Sequence, residues 1–221
     1  ADRVINRPLL ILPEKLGLIA QVLSGRIGID AAGLAPDPSR FAGNARAAEP
    51  YRVTTSGTAI IPVVGSLVNR GAWIGAQSGL TSYEGIQHQL QSAARDPNVK
   101  SIDLDLDSPG GEAVGAFETA ALVRKVNQVK PVFAMVNGMA ASAAYAIASA
   151  AKAIISTESA ISGSIGVVLM HADYSRAIDK AGITPTLIHA GRHKVDGSPY
   201  KPLPKGVRAD LQKEVDAFYS M

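Results

Sequence analysis

The run from Thr58 to Val64, TAIIPVV, is apolar, rich in β-branched residues and too short for a helix, so a buried strand is predicted. The period then changes. Between Thr81 and Ala94 the apolar Tyr83, Ile86 and Leu90 recur three and four residues apart. Thr81 and Glu84 make a capping box in front of them, which predicts a helix. Asp96-Pro97-Asn98 signals a turn, Ser101 to Leu106 a strand, Val114 to Val129 a helix and Pro131 to Val136 a strand. Ala140 to Ala151 is Ala-rich and almost uncharged, so a helix buried on nearly all sides is predicted. Ala153 to Ser156, Ile165 to Met170 and Thr186 to Ile188 read as short strands, with a helix near Tyr174 to Ala181 between the last two. Val207 to the C-terminus reads as a polar amphipathic helix. Strands alternating with helices imply an α/β domain with a largely parallel sheet flanked by helices.

The first part of the chain reads differently. Pro8 to Leu23 is apolar but is interrupted by Pro13, Glu14 and Lys15. A short strand or turn is predicted there, then an amphipathic helix that starts at Pro13 and stops at Gly25. Gly25 to Gly57 is rich in Ala, Gly, Pro, Arg and Asp without a period, as in a linker or partly ordered arm. The expected organisation is an N-terminal arm and linker over 1–56 and one compact domain over 57–221. The chain stops inside a predicted helix, as a fragment or trimmed product of a longer protein would.

Composition narrows the chemistry. With 221 residues, 47% hydrophobic and 19% charged, the chain can build a real core. Cysteine is absent, which excludes disulfides, thiolate nucleophiles and cysteine-zinc sites. The net charge of +3 is too mild for the basic stripe that nucleic acid requires, so no nucleic acid partner is expected. No run of about 18 apolar residues suggests a membrane span. A cytoplasmic protein is expected.

Three segments carry candidate chemistry. Asp105-Leu106-Asp107-Ser108-Pro109-Gly110-Gly111 follows a predicted strand and precedes a helix. Glycines there let the backbone turn N–H groups toward a developing oxyanion, although Pro-Gly-Gly also suits a plain tight turn. In Asn137-Gly138-Met139-Ala140-Ala141-Ser142-Ala143-Ala144-Tyr145 a serine stands where a strand gives way to a helix. That junction exposes a hydroxyl beyond the sheet, while a small residue chosen for close packing is the plainer reading. Gly191-Arg192-His193-Lys194-Val195-Asp196-Gly197-Ser198-Pro199 is a loop with a lysine. A lysine serves as a base near neutral pH only where an apolar wall disfavours its ammonium form; otherwise it is a surface charge.

Taken in order, Ser-Pro-Gly-Gly, Met-Ala-Ala-Ser before an Ala/Tyr helix, Gly-Ser-Ile-Gly-Val and Gly-x-His-Lys resemble the signal peptide peptidase A family. The resemblance spans residues 58 to 215 and implies a Clp-protease/crotonase-like fold with a serine/lysine dyad. By position it makes Ser142 the nucleophile, Lys194 the general base and Ser164 the hydroxyl that orients the lysine. Gly110 and the Ala143 N–H become the oxyanion hole, with Gly111 supporting the turn. Ala143-Ala144 stand where the family often has Gly-Gly. The opening, Ile5-Asn6-Arg7-Pro8-Leu9-Leu10-Ile11-Leu12-Pro13, is similar to phage and prophage capsid proteases of this family. The resemblance thus implies a homo-oligomeric serine endopeptidase needing no cofactor or metal, acting on scaffold, portal or capsid proteins in the host cytoplasm or procapsid.

Other readings stay open at this point. A cellular peptidase of the same family would degrade signal peptides. A Ser-His-Asp hydrolase would draw on His189 or His193 and Asp196. A crotonase-type acyl-CoA enzyme would use the glycine-rich turn without Ser142 or Lys194, and a non-catalytic assembly protein would keep only the fold.

Overall fold

A computed structural model describes residues 5–16, 51–71 and 79–221 of the chain. In chain order the strands are β1 (Pro8–Ile11), β2 (Arg52–Val53), β3 (Thr58–Val64), β4 (Ser66–Val68), β5 (Leu80–Ser82), β6 (Ser101–Ser108), β7 (Gly110–Glu112), β8 (Val132–Ala141), β9 (Ala153–Ser156), β10 (Ile161–Gly163) and β11 (Val168–Leu169). The helices are α1 (Tyr83–Arg95), α2 (Ala116–Asn127), α3 (Ala143–Ala148), α4 (Ser175–Lys180) and α5 (Lys205–Tyr219). Contacts divide the chain into a larger unit, Leu10–Gly166, and a smaller one made of Ala1–Leu9 and Val167–Met221.

In the larger unit the alternation along β6 decides which face of the sheet is covered. Ile102, Leu104 and Leu106 are fully buried, whereas Asp103, Asp105 and Asp107 occupy the more open face. Partial burial raises the pKa of the Asp103 carboxyl above its ordinary value. β6 runs parallel to β3 on one side and β8 on the other, so Ile61, Leu104 and Ala134 stand in register across the buried face. β9 pairs in parallel with the first half of β8 and β10 with its end, while β2 runs antiparallel to β3. The predicted α/β architecture with a largely parallel sheet is therefore present. Tyr83, Ile86, Leu90 and Ala93 of α1 and Ala116, Ala120 and Val123 of α2 complete the core. Helix α3 packs against α2 and β8 with Ala143, Ala144, Ile147 and Ala148 buried.

Several elements differ from the sequence reading, each for a local reason. Helix α1 is capped by Ser82, whose side chain accepts from the Gly85 N–H, and not by Thr81. Thr81 belongs to β5, and its hydroxyl donates to the Val64 carbonyl at 2.6 Å. The Ala-rich helix starts at Ala143 instead of Ala140, because β8 continues to Ala141 and pairs there with β10. Between β6 and β8 the register slips: Leu106 faces Val136, but Ser108 faces Ala140. Residues 137–139 therefore oppose Asp107 alone, a bulge that bends β8 toward its end. A Cβ at Gly138 would stand 2.7 Å from Asp107 Oδ1, so a larger residue there would turn that carboxylate aside. Thr186–Ile188 is not a strand: residues 183–189 are irregular, Ile188 is 96% exposed, and no pairing is recorded for it among the described residues. Of the stretch Ile165 to Met170, Val168–Leu169 forms β11 and Met170 makes an isolated bridge to Ile5.

The smaller unit is held by its two chain segments. Pro8 and Leu9 pair antiparallel with Leu169 and Val168. Asn6 donates from Nδ2 to the Gly197 carbonyl at 2.8 Å and shares its Oδ1 with His171 Nδ1 at 3.0 Å. The predicted helices near Tyr174 and from Val207 are present as α4 and α5. The predicted helix from Pro13 is helical at residues 13–16, and its remainder, with most of the predicted linker to Gly57, lies outside the described residues.

Candidate active site

Three small buried residues bring the backbone to Ser142. Ala140 and Ala141 end β8, and Ala143 opens α3; all three are fully buried. The chain changes direction between strand and helix within one residue, so Ser142 adopts φ +55° and ψ −116°. A residue with a Cβ pays about 1–3 kcal/mol for such a conformation. Two bonds hold it: the Ser142 N–H donates to the Gly163 carbonyl at 2.7 Å, and its carbonyl accepts from the Ala146 N–H at 2.9 Å. Its hydroxyl donates over a long 3.5 Å to the Gly166 carbonyl, so the Oγ is only weakly engaged.

Gly110 lies directly against this junction. Its φ is +92°, and a Cβ there would stand 3.0 Å from the Ala141 carbonyl oxygen and 3.1 Å from the Ala143 nitrogen. Gly111 sits in register with Leu67 of β4, so close that a Cβ would meet the Leu67 carbonyl at 1.9 Å. Tyr83 anchors the far end of β7, donating to the Glu112 carbonyl at 2.6 Å. Burial, reinforced by the Glu112 and Glu118 carboxylates, raises its phenol pKa well above the ordinary value, so it stays a donor.

The sequence reading gave Ser108 no role, yet it ties this turn together. It is fully buried, accepts from the Gly110 N–H at 3.2 Å and donates to the Gly65 carbonyl at 2.7 Å. The signal was its place just before Pro-Gly-Gly, where a hydroxyl can bond the backbone two residues on. Ser108→Ala removes both bonds at a buried site and is expected to cost about 1–3 kcal/mol. Denaturant unfolding of the two chains measures it.

Ser164 follows β10 at φ +53° and is exposed. Lys194 lies in the smaller unit, in a turn where its N–H donates to the Gly191 carbonyl at 3.3 Å, and it too is exposed. The neighbouring His193 pairs with Asp196 at 2.8 Å, a local i,i+3 contact within the same turn. The larger unit thus gathers Ser142, Gly110, Gly111, Ala143 and Ser164, while Lys194 belongs to the smaller one. A weakly engaged hydroxyl on a strained junction, bordered by glycine backbone and a helix start, suits nucleophilic acyl transfer. Among the described residues no group of three or more His, Asp or Glu side chains is placed to hold a metal ion, and no helix is long and apolar enough to cross a membrane.

Residues 124–221 match peptidase family S49. Capsid assembly protease C of Escherichia phage lambda is 39% identical over 235 residues, covering 100% of this chain and 53% of that protein. Head-tail preconnector protein GP5 of Enterobacteria phage P21 is 39% identical over 225 residues, covering 96% of this chain and 45% of that protein. The chain therefore spans about half the length of these curated relatives. Among solved structures, an enoyl-CoA hydratase from Shewanella pealeana aligns with 77% of this chain and 73% of its own, at 12% identity and a TM-score of 0.40.

Proposed function

Because the chain carries a peptidase family S49 domain, we propose that it is a serine endopeptidase that cuts scaffold, portal or other capsid proteins during phage head maturation. The observation that carries this reading is the strained Ser142, with Gly110 backbone packed against the peptide group that follows it. In this reading residues 57–221 carry the chemistry and residues 1–56 serve assembly or substrate delivery.

Ser142 Oγ attacks the scissile carbonyl carbon and gives its proton to Lys194, whose amine Ser164 orients. The carbonyl oxygen becomes an oxyanion, which the N–H groups of Gly110 and Ala143 stabilise; Gly110 exchanges its 3.2 Å bond to Ser108 for one to that oxygen. Gly111 keeps the turn close to β4. Lys194 returns the proton to the leaving amine, and water then hydrolyses the ester on Ser142.

A lysine base requires desolvation, which further packing around the Lys194 turn would supply. A homo-oligomer supplies such packing and also covers Ile155, Ile161 and Ile165, which are 49%, 56% and 75% exposed. The expected setting is the host cytoplasm or the procapsid. Incubation with denatured casein and with a phage scaffold protein tests the reading. Fragments should appear with the native chain and not with Ser142→Ala; equal cleavage by both would contradict it.

A further inference from the structure

The strand β1 is apolar throughout, and all four of its residues are buried. Leu9, Leu10 and Ile11 expose only 3%, 6% and 6% of their surface. In the larger unit the end of this segment runs along the glycine turn. The Leu12 N–H donates to the Pro109 carbonyl at 3.1 Å, and β1 and β4 are the two neighbours of β7. The Leu10 carbonyl oxygen stands 2.1 Å from the position a Gly110 Cβ would take. That same position lies 3.0 Å from the Ala141 oxygen and 3.1 Å from the Ala143 nitrogen. The Leu10 carbonyl and the peptide groups flanking Ser142 therefore border one small volume beside Gly110.

The proposed function sets the scissile carbonyl against this same glycine turn, with the Gly110 and Ala143 N–H groups on its oxygen. An extended substrate also needs a free strand edge for its main-chain bonds, and the edge of β7 facing away from β4 is taken. We propose that residues 10–12 are an internal occupant of the peptide-binding edge, which keeps the chain latent until an extended apolar substrate segment displaces them. The proposal rests on the serine-peptidase reading and adds its regulation. A tethered strand competes at an effective concentration of about millimolar, so dilute substrate is excluded while substrate presented at high local density is cut. The occupant also indicates the ligand chemistry: an extended segment with aliphatic side chains at the positions of Leu10 and Ile11.

Two full-length variants test this, with peptide cleavage and fluorophosphonate labelling read on the same samples. Leu12→Pro removes the N–H that bonds Pro109 and is expected to raise the initial cleavage rate of an extended apolar peptide about fivefold. Leu10→Ala keeps every backbone bond, trims a buried side chain and should raise it further, so the test survives if the proline variant does not fold. A synthetic peptide with the sequence of residues 5–14 should inhibit both variants competitively. Folded variants that cleave at the native rate and ignore that peptide overturn latency. Label on Ser142 in such chains would show that latency alone has failed. Absence of label and of cleavage in the native chain and both variants overturns the serine reading, and latency with it.

Discussion

Lys194→Arg is expected to leave peptide cleavage as low as Lys194→Ala, a loss on the order of 10⁴- to 10⁶-fold from the native rate. A general base must spend part of its time without its proton, and a guanidinium does not release one in a protein. Lys194 is exposed and its backbone bond lies within its own turn, so neither change should move the unfolding midpoint appreciably. Lys194→Met keeps a long apolar stem and should likewise fold and fail to cleave. His193→Ala is expected to keep most activity, since His193 points into a local pair with Asp196. A dead His193→Ala beside an active Lys194→Arg would replace the dyad with a histidine mechanism.

The second large effect separates chemistry from stability at one position. Ser142→Ala should lower turnover by about a millionfold, the scale seen when a catalytic serine is removed. It keeps the Cβ and therefore the backbone strain at φ +55°. Ser142→Gly should be equally inactive yet more stable than Ser142→Ala by about 1 kcal/mol, because glycine tolerates that conformation. Denaturant unfolding of the two variants reads the difference. If Ser142→Gly proved the less stable, strain would not be stored at the junction.

Much of this was legible from local pattern. The alternation in Ser101–Ser108 and the spacing of Tyr83, Ile86 and Leu90 report one buried face each, and the structure buries those faces. The misplacements arose where a nonlocal partner decides. Thr81 and Ser82 are both good caps, and only the pairing of β5 with β4 shows that Thr81 is strand. Alanine favours a helix from Ala140, yet parallel pairing of Ala140 and Ala141 with β10 holds them extended. Thr186–Ile188 has strand composition but, among the described residues, lacks the ladder that makes a strand. At the site, the ordered motifs drew attention to Gly110, Ser142 and Ala143, whose backbones do meet. The Ser108 bond to Gly65 and the contact of Leu10 with Gly110 were not readable, because each reaches far along the chain.

Ser142 is proposed as the acylating nucleophile. Treating the native chain with a fluorophosphonate and locating the adduct by mass spectrometry tests it most directly. One adduct is expected, on Ser142, that blocks cleavage and is missing from Ser142→Ala; an adduct on a different serine that blocks cleavage would overturn that role.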